Sequence, residues 1–195
     1  KLIEEVKRLF DPENIFNPGK IVDTPPMDTS LRYVPGQETP QFDTLFDFSS
    51  SQGILRAAEL CNGSGDCRKI QLSGGTMCPS YMATRNEKDT TRARANILRE
   101  ILTNSTSSNP FESKEIGEVM DLCLSCKGCK SECPSNVDIA KLKAEYLYQS
   151  YQTKGVSLRT WLVGNFSRMT ALASVFPGIY NYIFTHKTLG NIGKR

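Results

Sequence analysis

Residues 123–134 read Cys-Leu-Ser-Cys-Lys-Gly-Cys-Lys-Ser-Glu-Cys-Pro, which places cysteines at Cys123, Cys126, Cys129 and Cys133 and puts Pro134 directly after the last. The first three cysteines are each separated by two residues, so a short loop can aim three thiolates into one small space. Three residues and a proline then carry the thiolate of Cys133 away from that space. This is the spacing of bacterial-type iron–sulfur ligation, in which the fourth cysteine serves the other cluster of a two-cluster pair. The motif therefore calls for a second cysteine group elsewhere in the chain.

That group is Cys61-Asn-Gly-Ser-Gly-Asp-Cys67 followed by Cys78-Pro79. Aligned on the first motif, Cys61 takes the first position, Cys67 the third and Cys78 the fourth, while Ser64 stands at the second. The gap from Cys67 to Cys78 is also long, ten residues including Ser73-Gly74-Gly75. If each Cys-Pro turns its thiolate toward the opposite loop, the ligand sets cross. Cys123, Cys126, Cys129 and Cys78 would hold one cluster, and four thiolates suit [4Fe–4S]. Cys61, Cys67 and Cys133 would hold the other, with Ser64 where a fourth ligand would sit. A three-cysteine site suits [3Fe–4S], or [4Fe–4S] with a serine oxygen or water on the odd iron. The crossing uses all seven cysteines. The alternative is structural zinc, but zinc takes four ligands, usually in two separated pairs, and seven cysteines with no nearby histidine divide poorly into such sites. A redox disulfide at Cys126/Cys129 lacks the βαβ context it needs.

The bulk properties agree. The odd cysteine count excludes complete disulfide pairing, and the close spacings fit a reducing, cytoplasmic setting. A net charge of +3, with no basic stripe interleaved with aromatics, gives no reason to expect nucleic acid. No run of about 20 apolar residues predicts a membrane span. There is no P-loop, no Gly-x-Gly-x-x-Gly and no nucleophile elbow, and the only histidine is His186. The chain opens on Lys1 and at once on a helical pattern, which reads as a piece of a longer polypeptide.

Along the chain the periodicity is helical and no strand-rich region stands out, so the fold class is mostly α. Leu2, Ile3, Val6, Leu9 and Phe10 share one face of a helix that Asp11-Pro12 ends. Residues 23–52 read as a connecting arm broken by prolines, ordered against a neighbouring surface by Phe42, Leu45, Phe46 and Phe48. Helices are predicted over 53–60, from a cap at Asp89 or Thr90 to Leu102, over 112–122, and from Asp138 to Gln152, where Gly155 breaks the pattern. In the second of these Ala93, Ile97, Ile101 and Leu102 should face inward. The surrounding Arg85, Arg92, Arg94 and Arg99 read as a solvated face. The alternative is that one or two of them offset the negative charge of a cluster and its thiolates. A further amphipathic helix is predicted from Ser157 to Phe176, ended by Pro177-Gly178.

Several stretches carry a family resemblance. Residues 7–22, Lys-Arg-Leu-Phe-Asp-Pro-Glu-Asn-Ile-Phe-Asn-Pro-Gly-Lys-Ile-Val, look like the closing segment of FAD-linked oxidases of the vanillyl-alcohol-oxidase type. Residues 25–48, Cys61–Cys67, Gly74-Gly-Thr-Met-Cys-Pro-Ser-Tyr81 and Thr91-Arg-Ala-Arg-Ala-Asn96 are similar to the middle of fused flavin/iron–sulfur oxidoreductases of the D-lactate, glycolate and D-2-hydroxyglutarate dehydrogenase type. The resemblance implies four regions. Residues 1–22 would end a flavin domain, with Asn17 near the FAD. Residues 23–52 would be the arm, 53–155 an α-helical two-cluster ferredoxin domain, and 156–195 a helical extension toward a cysteine-rich domain. Both the flavin and the cysteine-rich domain would belong to the parent chain. The resemblance further implies single-electron transfer from reduced FAD to a quinone or another carrier, and no dehydrogenase activity from this segment alone. The cluster region is also similar to the C-terminal domain of the succinate dehydrogenase iron–sulfur subunit, where one motif lacks its second cysteine and a three-iron cluster results. That likeness keeps open a subunit of a membrane-associated quinone reductase, peripheral at the inner membrane with 157–176 as its docking face.

Overall fold

The computed structural model describes residues 1–186 except Arg32 and Pro35, and leaves the side chains of Ile183 and Phe184 outside the description. Two units divide the chain, Lys1–Thr39 and Pro40–Arg195. In the first, α1 (Leu2–Phe10) is amphipathic as its periodicity requires, and Leu2, Ile3, Val6, Leu9 and Phe10 are all exposed. Asp11 ends α1 and organises the turn beyond it. Its carboxylate accepts the N–H groups of Ile15 at 2.8 Å and Phe16 at 2.9 Å and pairs with Lys7. Those bonds, the one from Lys7 foremost, hold the Asp11 carboxyl below its usual range. Asn17 lies in the next turn, exposed, with φ 50°.

The second unit begins with the end of the arm. The Phe42 ring meets Phe111 edge-on with centroids 5.5 Å apart, and Phe48 is buried beneath Lys141. Leu45 and Phe46 keep their side chains outside, but their N–H groups donate to the fully buried carboxylate of Glu145, at 3.1 and 3.0 Å. Backbone donors thus hold this stretch where apolar contact does not.

Among the described residues all regular structure is helical, with no strand. The core is built by α2 (Ile54–Glu59), α4 (Thr91–Asn104), α5 (Lys114–Asp121) and α7 (Ile139–Lys154), with α4 packed on each of the other three. Two short helices belong to the cysteine loops: α3 (Pro79–Thr84) after Cys78, and α6 (Gly128–Glu132), which carries Cys129. Thr90 caps α4 by accepting the Ala93 N–H, Ser113 caps α5, and Asp138 caps α7 by accepting the Lys141 N–H. Gly155, at φ 73°, follows α7. The inward face of α4 differs from expectation. Arg94, Ala95, Leu98 and Leu102 are buried, while Ile97 and Ile101 are only half-buried, because an arginine occupies the first place of the buried 94–98–102 stripe.

The predicted 157–176 helix is two helices, α8 (Leu158–Gly164) and α9 (Phe166–Val175). Gly164 has poor helix propensity, and the Asn165 side chain donates back to the Trp161 carbonyl at 2.9 Å, which closes α8. Pro177-Gly178 ends α9 but also starts α10 (Pro177–Thr185), since proline is well suited to the first helical position. α8 and α9 bury no residue, and Trp161, Phe166, Leu172 and Phe176 are all more than half exposed. The last part of the predicted 156–195 extension, 187–195, lies outside the described residues. No described helix is long and apolar enough to cross a membrane.

Candidate metal centre

The two cysteine loops follow one backbone pattern. Offset by 62 positions, Gly63 and Gly65 (φ 80° and 85°) match Ser125 and Lys127 (φ 53° and 60°), all in the left-handed region. Ser64 in the first loop therefore stands where Cys126 stands in the second, and both are exposed. Each loop then makes a helical turn, Asp66–Arg68 in one and α6 in the other, that buries the cysteine at its third ligand position, Cys67 or Cys129. Burial pushes both thiols up, and in each case the N-terminus of the next long helix opposes it. The backbone at Arg92, at the start of α4, lowers the pKa of the Cys67 thiol, and that at Ile139 and Ala140, at the start of α7, lowers that of the Cys129 thiol. The first N–H groups of a helix are unpaired donors at its positive end, which favour a thiolate. A cluster held by these cysteines would take the thiolate and displace the proton that burial retains.

The Cys78 segment reaches across to the second loop. Glu132, just before Cys133, accepts the N–H groups of Thr76 at 2.6 Å and Met77 at 3.0 Å. Those two bonds, Met77 first, hold its carboxyl below the usual range. Gly75, at φ +83°, lies so close that a Cβ there would fall 2.5 Å from Glu132 Oε2, and a Cβ on Gly128 would sit 3.3 Å from Thr76. With the segment fixed in this way, Cys78, Cys123, Cys126 and Cys129 line one cavity together with Thr91, Arg94, Ile139 and Ala140. Lys143 fixes the entry to the second loop. Its ammonium donates to the carbonyls of Met120 at 2.6 Å, Asp121 at 3.3 Å and Cys123 at 2.7 Å, closing the end of α5.

The remaining residues of interest lie apart from that cavity's lining. Cys61 is half-buried and close enough to Cys67 to raise its pKa. Cys133 is half-buried against the core, its N–H donating to the Cys129 carbonyl at 3.0 Å. Ser64 is held by its N–H, which donates to Asn62 Oδ1 at 3.1 Å. Asn17 belongs to the first unit. Among the described residues no three His, Cys, Asp or Glu converge tightly enough for a single metal ion. A cluster makes a different demand, because each thiolate binds its own iron and the sulfurs surround the group instead of meeting at a point. Four free cysteines around a cavity, with an arginine whose Nη2 is buried and unpartnered, suit a group that is thiophilic and negatively charged.

Glu132, Lys143 and Glu145 carry no expectation from the sequence, and Arg94 follows the alternative given for the arginines around α4 and not the favoured solvated face. Arg94 read as part of a solvated face but is 1% exposed; its place four residues before Leu98 and eight before Leu102 was the available signal. Glu145 sits three residues after Leu142 on the inward face of α7 in the same way. Lys143 and Glu132 carry no local pattern, because their partners are carbonyls and amides from distant parts of the chain.

Comparison with known proteins agrees with the motif. Residues 60–138 match the family described as a 4Fe-4S dicluster domain. D-2-hydroxyglutarate dehydrogenase of Escherichia coli K12 is 27% identical over 99% of this chain, those residues making up 22% of its own length. The proteins of that name from Pantoea ananatis and Pseudomonas putida are each 26% identical, over 92% and 97% of the chain. The chain spans about a fifth of the length of these curated relatives. No solved structure matches it. The chain is thus similar to D-2-hydroxyglutarate dehydrogenases along nearly its whole length, and the match of residues 60–138 to a 4Fe-4S dicluster domain supports iron–sulfur cluster binding and an electron-transfer role.

Proposed function

We propose that this chain is the electron-transfer segment of a flavin-dependent 2-hydroxy-acid dehydrogenase. Electrons from a reduced FAD, formed as D-2-hydroxyglutarate or a similar hydroxy acid is oxidised elsewhere in the protein, pass singly through two clusters to a quinone or another carrier. The observation that carries this reading is the cavity lined by Cys78 together with Cys123, Cys126 and Cys129, a cysteine from one motif beside three from the other. These four would hold a [4Fe–4S] cluster. Cys61, Cys67 and Cys133 would hold the second, as [3Fe–4S] or as [4Fe–4S] with the Ser64 oxygen or water on the odd iron, because Ser64 occupies the position of the missing thiolate. Such clusters supply one-electron redox chemistry over a wide range of potentials. The chain's own part is to bury the sulfurs, direct helix N-termini at them and keep the two loops together through Glu132. Asn17 would lie near the FAD of the whole protein.

The apolar faces of α8 and α9 would be covered by a cysteine-rich domain of the same parent chain, consistent with relatives several times longer than this segment. The same exposed faces favour a second reading, an iron–sulfur subunit resting on a membrane. Sedimentation with anionic vesicles at moderate salt separates the two, and only the second reading predicts co-sedimentation.

The electron-transfer reading is tested on protein reconstituted anaerobically with iron and sulfide. Photoreduced flavin should bleach the charge-transfer absorption, and a soluble benzoquinone should restore it. Purification with zinc in place of iron and sulfide, or clusters that reduced flavin leaves oxidised, would overturn it.

A further inference from the structure

Arg94 is the one arginine among those around α4 that is withdrawn from solvent altogether, at 1% exposed. Its Nε donates to the Val119 carbonyl at 2.7 Å and its Nη1 donates to Cys78 Sγ at 3.4 Å. Its Nη2 is buried and has no partner. The residue lines the cavity shared by Cys78, Cys123, Cys126 and Cys129. A guanidinium does not lose its proton in a protein, so this is a buried positive charge, and no carboxylate among the described residues is paired with it. The buried Asp89, whose carbonyl accepts from the same Cys78 sulfur, has its own Oδ1 unpartnered and makes no ion pair with Arg94. A buried charge without a direct partner is left, and an anion in the cavity would stabilise it.

The second half supplies the internal control. Counted from the capping residues Thr90 and Asp138, the position of Arg94 in α4 corresponds to Leu142 in α7, which is equally buried. The two helices match in cap and in the backbone that lowers the thiol at the third ligand position, and they differ at this place by a full charge. Packing requirements alone are met by leucine in one half and so do not call for arginine in the other.

We propose that Arg94 sets the reduction potential of the cluster held by Cys78, Cys123, Cys126 and Cys129, raising it by charge and by a hydrogen bond to the Cys78 sulfur. This rests on the assignment of Cys78 to that cluster. Reduction adds one electron, from a one-electron donor such as dithionite or a flavin radical, with no bond broken and no proton moved. The added negative charge is stabilised by the fixed cation, so the reduced form gains more than the oxidised form. Arg94 is a tuning and positioning residue, and the helix that carries it distinguishes the two clusters.

The test is an anaerobic redox titration followed by electron paramagnetic resonance (EPR) on the native chain, Arg94→Lys and Arg94→Gln, with iron and sulfide content measured on each. Arg94→Gln is expected to lower the reduction equilibrium of the four-iron signal about tenfold, about 59 mV for one electron. Arg94→Lys should retain more than half of the native advantage. A loaded Arg94→Gln protein with an unchanged potential would overturn the proposal, and so would an equal fall in both variants, which would indicate a packing role only. If neither variant loads, the native chain grown with arginine labelled with ¹⁵N in its guanidino group decides. A nitrogen coupling to the reduced four-iron signal, measured by electron spin-echo envelope modulation, supports the contact, and its absence overturns it. The Cys78 assignment fails separately, if Cys78→Ala keeps the four-iron signal.

Discussion

The two cysteine loops share a backbone and differ in what they place on it. At the left-handed positions the first loop has Gly63 and Gly65, while the second has Ser125 and Lys127. At the second ligand position the first loop has Ser64 and the second has Cys126. After each loop the start of a capped helix lowers the buried thiol at the third ligand position, but α4 adds Arg94 where α7 has Leu142. The shared features suit two sites for one kind of group, of which the one lined by Cys78, Cys123, Cys126 and Cys129 is a formed cavity. The unshared ones would give the two proposed sites different ligand counts and different charge, which suits a relay whose two stations have unequal potentials.

The largest change that would break this asymmetry is Ser64→Cys, because the matched backbone places the new thiolate where Cys126 stands in the other loop. If the site of Cys61, Cys67 and Cys133 holds a three-iron cluster, the change should convert it to a four-iron one, seen as loss of the oxidised-state EPR signal and gain of a second signal on reduction. Persistence of the three-iron signal in a fully loaded variant would show that the ligand position is not what limits the cluster. Next in size is Lys143→Met, which leaves the carbonyls of Met120, Asp121 and Cys123 without their shared donor. A loss of about 1–3 kcal/mol in urea unfolding is expected for the cluster-free protein. An unchanged midpoint would mean that water replaces the ammonium at no cost.

The caps sharpen the comparison at a smaller scale. Thr90→Ala and Asp138→Ala should each cost about 1 kcal/mol, read from the same urea curves. Similar losses are the expected result, and a silent Thr90→Ala would remove the parallel between α4 and α7. The smallest effects belong to the left-handed positions and have opposite signs. Gly65→Ala should destabilise by about 1 kcal/mol, whereas Lys127→Gly should stabilise by a few tenths, since glycine relieves a left-handed strain of about 1–2 kcal/mol but adds unfolded-state entropy. Two changes of the same sign would contradict the shared loop geometry.

Much of this was legible in the sequence, for identifiable reasons. The helices that became α1, α2, α4, α5 and α7 have apolar stripes or capping residues such as Thr90 and Asp138, and the cysteine spacing announces the chemistry without any fold. α3 and α6 went unseen because six and five residues are too short to show a period. The face of α4 was misplaced by one residue because periodicity treats arginine as a surface residue, and Arg94 is buried for a charge that lies outside the helix. The break at Gly164-Asn165 was passed over because the apolar spacing runs through it, and a side chain returning to the Trp161 carbonyl leaves no trace in hydropathy. Glu132 and Lys143 act on backbone groups that the fold brings to them, so only the three-dimensional arrangement reveals them.

Crossing of the ligand sets can be read from EPR of an anaerobically reconstituted Cys78→Ala variant, first oxidised and then reduced. The crossed arrangement predicts that the four-iron signal belonging to Cys123, Cys126 and Cys129 is lost or converted, while the three-iron signal of Cys61, Cys67 and Cys133 remains. Loss of the three-iron signal with the four-iron signal intact would contradict it.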